Sequence, residues 1–321
     1  MLISAAKQTT YDDILNKLLA ADVKSRILNS SVSLKGKNPK KTDFDGSAAM
    51  LCYKGNTTFL VSAKHNLEVY WEGGSRPPLN QTLLDSFRQS IKIYYQASMQ
   101  FNAVPAQVAV ISEVIPVKIG SEGDWDYDVM ILKSTDPGLL QVCKANQIYP
   151  LTDTKQKQAY DQVVKAGRLY LSKTPVKDST AYFIQSGFGR VRDTVEGTSL
   201  PKDKPGPGKH GGLQYRDTAP KAQATDTVYF QVGQTNNYEP YIAAIQLDAD
   251  ANSSTFKGDS GGPLYFTYFD KSAKVWRLFV IGVTTGGDMS TAREPCPPKG
   301  TLVANNISTS LAHCYSQGLF Q

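Results

Sequence analysis

Histidine and cysteine are scarce in this chain, with three of the first (His65, His210, His313) and four of the second (Cys52, Cys143, Cys296, Cys314) among 321 residues. The cysteines stand far apart and form neither a CxxC pair nor a zinc-ligand spacing, which argues against a zinc ribbon and against a small disulfide-stapled scaffold. They fit four buried thiols or up to two disulfides, and such sparse use favours a reducing compartment. No apolar run approaches the roughly 18 residues that a membrane-spanning helix needs. The first eight residues, Met1 to Gln8, lack the basic head and apolar run of a secretory leader. A cytoplasmic location is therefore expected, or a secreted one if a leader is missing from the given chain. Five Asn-x-Ser/Thr sequons, at Asn29, Asn56, Asn80, Asn252 and Asn306, then read as chance. Charge of one sign is also modest, a net +6 with pI near 8.9. Its only cluster, Lys35, Lys37, Lys40 and Lys41, reads as a solvated loop, so no nucleic-acid partner is expected.

What is present is the texture of an all-β protein. Thr10, Asp13, Ile14, Leu15, Leu18 and Leu19 predict a capped amphipathic helix that ends near Asp22. From Ser31 the pattern changes to short strands broken by turn residues, with Ser47–Tyr53 and Thr57–Ala63 forming a hairpin around Gly55. Further strands are expected at 91–95, 107–111, 114–119, 129–132, 182–187, 228–232, 241–247, 264–268 and 275–283. Short helices are expected within 72–89, over 155–166 and, closing the chain, over 306–315. The Gly187-Phe188-Gly189 turn lacks the third glycine and following helix of a dinucleotide loop. Asp124, Asp126 and Asp128 lack the ligand series of a helix-loop-helix calcium site. No 20-to-50-residue repeat is present, so many short strands with loop insertions predict barrels or a sandwich.

One stretch narrows the chemistry. In Lys257-Gly258-Asp259-Ser260-Gly261-Gly262-Pro263-Leu264, glycines permit backbone conformations closed to other residues and let N–H groups point into one small space. A serine held there can attack a carbonyl while those N–H groups receive the charge on its oxygen. A serine hydroxyl is a poor nucleophile near pH 7 and needs a base. Upstream, His65 closes a strand, and Asp128 stands where an acidic turn runs into a buried strand.

The segments Val61-Ser62-Ala63-Lys64-His65, Asp128-Val129-Met130-Ile131-Leu132 and Gly258-Asp259-Ser260-Gly261-Gly262-Pro263-Leu264, in that order, resemble the chymotrypsin/trypsin family of serine peptidases. The Ser186-Gly187-Phe188-Gly189 turn and the Leu213-Gln214 run are similar to further landmarks of that family, and the likeness extends from about Ile27 to the C-terminus. It implies an all-β fold of two antiparallel six-stranded β-barrels with a short N-terminal helix and a C-terminal helix. The expected divisions are a helical extension or pro-segment (1–26), a first barrel with His65 and Asp128 (27–150) and a second with Ser260 (151–321). It implies a Ser-His-Asp endopeptidase acting through an acyl-enzyme, with His65 as base, Asp128 as its orienting acid and the N–H groups of Gly258 and Ser260 as oxyanion hole. The partner is then a protein or peptide substrate, no metal or organic cofactor is required, and a regulatory partner is conceivable at the N-terminal helix. A catalytically inactive protease-like binding protein is the alternative.

The departures from that pattern carry their own expectations. Cysteines that the family places after the histidine and four before the serine are here Asn66 and Phe256. Ser254, Thr285, Gly287 and Gly300 fall where the family builds its specificity pocket, implying an open, uncharged pocket that takes a large apolar residue. Arg26-Ile27 lies 38 residues (65 minus 27) before His65. That spacing suggests activation by cleavage after Arg26, with the freed Ile27 amine pairing with Asp259.

Overall fold

The structure, a computed structural model, describes residues 21–71, 76–98, 104–119, 123, 125–146, 148, 181–188, 214–217, 229–235, 238–245, 258–270, 273–287 and 306–320. The capped segment from Thr10, the helix expected over 155–166, and His210, Ser254, Cys296 and Gly300 lie outside the described residues.

Helix α1 (Ala21–Ser30) is followed directly by strand β1 (Ser31–Lys37). The sequence pattern placed the end of the helix near Asp22, but Val23 and Ile27 stand four apart, both buried, and no Gly or Pro interrupts them. The Ser30 hydroxyl donates to the Arg26 carbonyl and the Ser31 hydroxyl to the Ile27 carbonyl (2.9 Å), satisfying last-turn acceptors as the chain becomes extended.

β1 pairs with β2 (Asp43–Lys54), which pairs with β3 (Thr57–Ser62) through a turn in which Gly55 has φ +59°. Helix α2 (His65–Trp71), helix α3 (Gln81–Ser90), β4 (Ile91–Tyr95), β5 (Gln107–Val110), β6 (Glu113–Pro116) and β7 (Met130–Ser134) follow. The sheet order is β5-β4-β1-β2-β3-β7-β6, and the pairs are antiparallel. Its two edges, β5 and β6, are separated in the chain by Ile111 and Ser112 alone. Ser112 N donates to Lys133 O (2.8 Å) and Ser134 Oγ to Val110 O (2.7 Å), so β7 reaches from β6 to the end of β5. The two edges are halves of one bent strand, and the seven segments close as six strands.

Helix α4 (Pro137–Asn146) comes next, then β8 (Ala181–Gly187), β9 (Gln214–Asp217), β10 (Tyr229–Thr235), β11 (Tyr238–Ile245), β12 (Pro263–Asp270), β13 (Val275–Gly287), β14 (Asn306–Ser310) and helix α5 (Ala312–Ser316). They form a second seven-stranded antiparallel sheet, β10-β11-β14-β13-β12-β8-β9, whose edge strands β9 and β10 are again consecutive in the chain. The helix expected over 306–315 is mostly strand. Asn306-Ile307-Ser308-Thr309-Ser310 is β-branched or polar throughout and inserts between β11 and β13, leaving helix only from Ala312.

Period-2 alternation accounts for the continuous burial of the central strands. Met50, Leu60, Met130 and Leu132 point into the first barrel with Val32, Leu34 and Ile93, and Phe44, Tyr70 and Phe87 close one end with edge-to-face contacts of 5.2–6.1 Å. Their neighbours Ala49, Leu51, Val61 and Ile131 face the other way. They join Leu264, Tyr265, Leu278, Val280, Val283 and Tyr315 in a second core between the halves.

Candidate active site

Strand register brings the first two site residues together. Ser62, the last residue of β3, pairs with Met130, the first of β7. His65 lies three residues beyond that edge and Asp128 two residues before it, so both leave the barrel at the same rim. Asp128 Oδ2 lies 2.7 Å from His65 Nδ1, and Asp128 Oδ1 accepts the His65 backbone N–H at 2.7 Å. One carboxylate therefore holds both the ring and the main chain at the first residue of α2. With Nδ1 donating to a carboxylate, the neutral imidazole keeps its lone pair on Nε2, the nitrogen able to accept a proton.

The His65 side chain is 23 % exposed and that of Asp128 10 %. Burial pulls the imidazole pKa down, but the negative charge of Asp128, its hydrogen bond and the charge of Glu68 together outweigh this, leaving His65 above its ordinary value.

The Gly258–Gly262 turn stands at the start of β12. Gly258 and Gly261 have φ of +98° and +81°, in the left-handed region that favours glycine. At Gly261 a Cβ would lie 2.1 Å from Ser62 Oγ and 2.4 Å from Ser47 O, so the turn is pressed against the histidine-bearing half. Asp259 O accepts from Gly262 N (2.8 Å), and the peptide is trans, so the Ser260 N–H of the same unit points the opposite way. Ser260 is half-buried while Asp259 is buried.

Two residues of the first half bond to this turn, and a third links them. Ser47 N donates to Ser260 O (2.9 Å) and Ser47 Oγ to Gly258 O (2.8 Å). Asn66, next to His65, donates from Nδ2 to Ser260 O (3.0 Å) and to Ser62 Oγ (3.0 Å), and Ser62 Oγ donates to Ser47 O (2.7 Å). Sequence reasoning missed Ser47, Ser62 and Asn66 as members of the site. The one available signal was a polar, amide-bearing residue directly after the histidine.

Chains of known structure similar to this one include HL collagenase, with a TM-score of 0.47 and 12% identity over 92% of this chain and 96% of that one. A scabies mite inactivated protease paralogue is also similar, with a TM-score of 0.45 and 16% identity over 94% of this chain and 97% of that one. No protein-family model and no curated protein matches the chain.

Of the remaining sequence-derived positions, those among the described residues lie on β13, whose Thr284 exchanges backbone hydrogen bonds with Gly261 (2.8 Å) and Gly262 (2.7 Å), on α1 and beside Ser260. Thr285 is half-buried on β13, its hydroxyl meeting that of Thr309, and Gly287 ends the same strand opposite Asn306. Arg26 and Ile27 lie within α1. The Arg26 guanidinium donates to Trp276 O (3.3 Å) and pairs with Asp22 (3.5 Å), while Ile27 is buried, its carbonyl bonded by Ser31 and Tyr265. The Ile27 nitrogen is thus a helical amide in this intact chain, and the Asp259 carboxylate packs against the backbone of Gly187. Cys52, Cys143 and Cys314 are buried free thiols. Among the described residues no cluster of three metal-ligating side chains occurs, and no helix is long and apolar enough to cross a membrane.

Proposed function

We propose that the chain is a serine endopeptidase in which Ser260 is the nucleophile, His65 the general base and Asp128 the group that orients His65. The observation that carries this reading is the Asp128–His65 pair, whose Nδ1 contact leaves Nε2 as the proton-accepting nitrogen, on a residue at the rim to which the Ser260 turn is tied. Ser260 Oγ attacks the scissile carbonyl as Nε2 takes its proton, and the imidazolium is stabilised by the Asp128 charge. The proton then passes to the departing amine, leaving an ester on Ser260 that water hydrolyses by the same route. The N–H groups of Gly258 and Ser260 receive the oxyanion, each such donor being worth about 2.7–4 kcal/mol in the transition state.

Ser254, Thr285, Gly287 and Gly300 are proposed to form an uncharged pocket for a large apolar residue before the scissile bond. Treatment with a fluorophosphonate probe tests the chemistry. Labelling of the wild type with none in Ser260→Ala is expected, and an unlabelled wild type would leave a protease-like binding protein as the better reading. Cleavage of a diverse peptide library tests the pocket, and a strong preference for Arg or Lys overturns it.

A further inference from the structure

The reactive groups of the proposed site come from different halves, so something must fix the Ser260 hydroxyl relative to the His65 ring. Asn66 is built into the same turn as His65. Its N–H bonds to Ala63 O (3.2 Å) and the next residue's to Lys64 O (2.9 Å), so ring and carboxamide share one rigid piece of backbone. From there Nδ2 reaches the carbonyl of Ser260 itself (3.0 Å) and, through Ser62 Oγ, the strand that carries Ser47.

The amide orientation is fixed by chemistry. Turning it over would place Oδ1 against the Ser260 carbonyl oxygen, two acceptors face to face. Asn66 is 1 % exposed, and its Oδ1 has no hydrogen-bond partner among the described residues. A buried polar atom without a partner costs stability, so half of this side chain is a liability to the fold. What the other half contributes is direction, a bond of set length between the residue beside the base and the main chain of the nucleophile.

From this geometry we infer that Asn66 is a positioning residue that holds Ser260 in line with the imidazole of His65, a role that rests on the peptidase reading above. It touches neither substrate nor reacting atoms. Loss of its donor leaves the Ser260 carbonyl, among the described residues, held by Ser47 N alone (2.9 Å) and the turn free to shift, and a misplacement near 1 Å costs about a hundredfold in rate.

The test is the kinetics of fluorophosphonate labelling in the full chain, with maximal rate (kinact), half-saturating concentration (KI) and final labelled fraction read separately. Asn66→Ala is expected to lower kinact by about tenfold to a hundredfold, with KI within about twofold and complete labelling. Asn66→Asp keeps the shape and removes the donor. It is slow at alkaline pH, and its rate relative to wild type climbs as pH falls, because a buried carboxyl protonates readily and regains an O–H donor. Tyr70→Phe removes a hydrogen bond to Ser86 (2.8 Å) from the same helix, away from the site, and should leave kinact unchanged.

Unchanged kinact in Asn66→Ala, labelling at wild-type rate but to a reduced fraction, a pH-independent ratio for Asn66→Asp, or equal slowing by Tyr70→Phe would each overturn the role. An unlabelled wild type sinks the peptidase reading and this role with it. Fast labelling of both Asn66 variants sinks the role alone.

Discussion

Replacing Asp128 by Asn changes little in volume and much in chemistry. The carboxylate now accepts twice from one residue, from the His65 backbone N–H and the Nδ1–H, both at 2.7 Å. The two donors meet different oxygens, and an amide keeps an acceptor at only one of those two positions and presents its NH2 at the other. If the amide oxygen keeps the backbone bond, the NH2 faces Nδ1, which must then become the acceptor, and the proton moves to Nε2. That tautomer cannot take the Ser260 proton. The imidazolium formed in the transition state also loses its counter-charge. Two unit charges about 4 Å apart interact by about 4 kcal/mol at an effective dielectric near 20, which is about three decades in rate. The tautomer change adds to this, so a fall of about 10³ to 10⁴ in labelling rate is expected. A pH profile of labelling should show a second effect, a lower midpoint, because the charge and hydrogen bond that raise the His65 pKa are gone. A loss below about tenfold with an unmoved midpoint would refute the reasoning.

Several other outcomes are expected. In the wild type, reactivity should climb with pH, with its midpoint above the ordinary histidine value of about 6.5, because neutral imidazole is the working form in the proposed mechanism and its folded-state pKa is raised. By the same shift the His65–Asp128 pair stabilises the fold fully below the unfolded value and loses that contribution as pH rises through the folded one, which denaturation midpoints across pH would register. Gly261→Ala places a methyl group 2.1 Å from Ser62 Oγ and 2.4 Å from Ser47 O at φ +81°, so labelling should disappear. Gly55→Ala, in open space at φ +59°, should cost only about 1–2 kcal/mol in chemical denaturation. Cys52, Cys143 and Cys314, with thiol pKa values pushed up to about 12 chiefly by burial, should react with a thiol reagent only after denaturation. Arg26→Gln should leave Ser260 reactive if the intact helix α1 belongs to the working protein, and abolition of labelling would support the expected cleavage there.

The strands were legible because each carries its own alternation and turn residues. Ile91–Tyr95 was read in full, and the Gly55 hairpin within a few residues of its outer ends. Helix α4 was overlooked, although Asp136 followed by Pro137 is a start signal and Asp136 Oδ1 does accept the Leu139 N–H (2.8 Å). The reading passed over it because Pro137–Asn146 is short and only weakly periodic. At the C-terminus the opposite error arose. Asn306–Ser310 is strand only because β11 and β13 flank it, a non-local fact that no local window contains. The same limit applies to the site. His65, Asp128 and Ser260 announce themselves by type and neighbours, but the roles of Ser47 and Ser62 depend on contacts across 211 and 15 residues of chain, respectively. Arg26-Ile27, where the local pattern suggests cleavage, lies within helix α1 of the intact chain with Ile27 buried, a placement that depends on packing and not on the local pattern.

The two halves meet over an apolar core, and apolar contact is non-directional. Burial can hold two surfaces together while tolerating small shifts of one over the other. A hydrogen bond weakens steeply with distance and angle, so a few polar ties around such a seam decide its register. Here they stand on both sides of the proposed reacting groups. Ser47 and Asn66 fasten the Ser260 turn to the His65 rim. On the other side Tyr127, next to Asp128, is buried with its hydroxyl bonded to the Ser310 carbonyl and its ring against His313 (5.4 Å). His65 and Asp128 are thus each adjacent in sequence to a residue bonded to the opposite half. Stability of the seam and accuracy of the site therefore reside in different side chains, and either can be weakened while the other is kept.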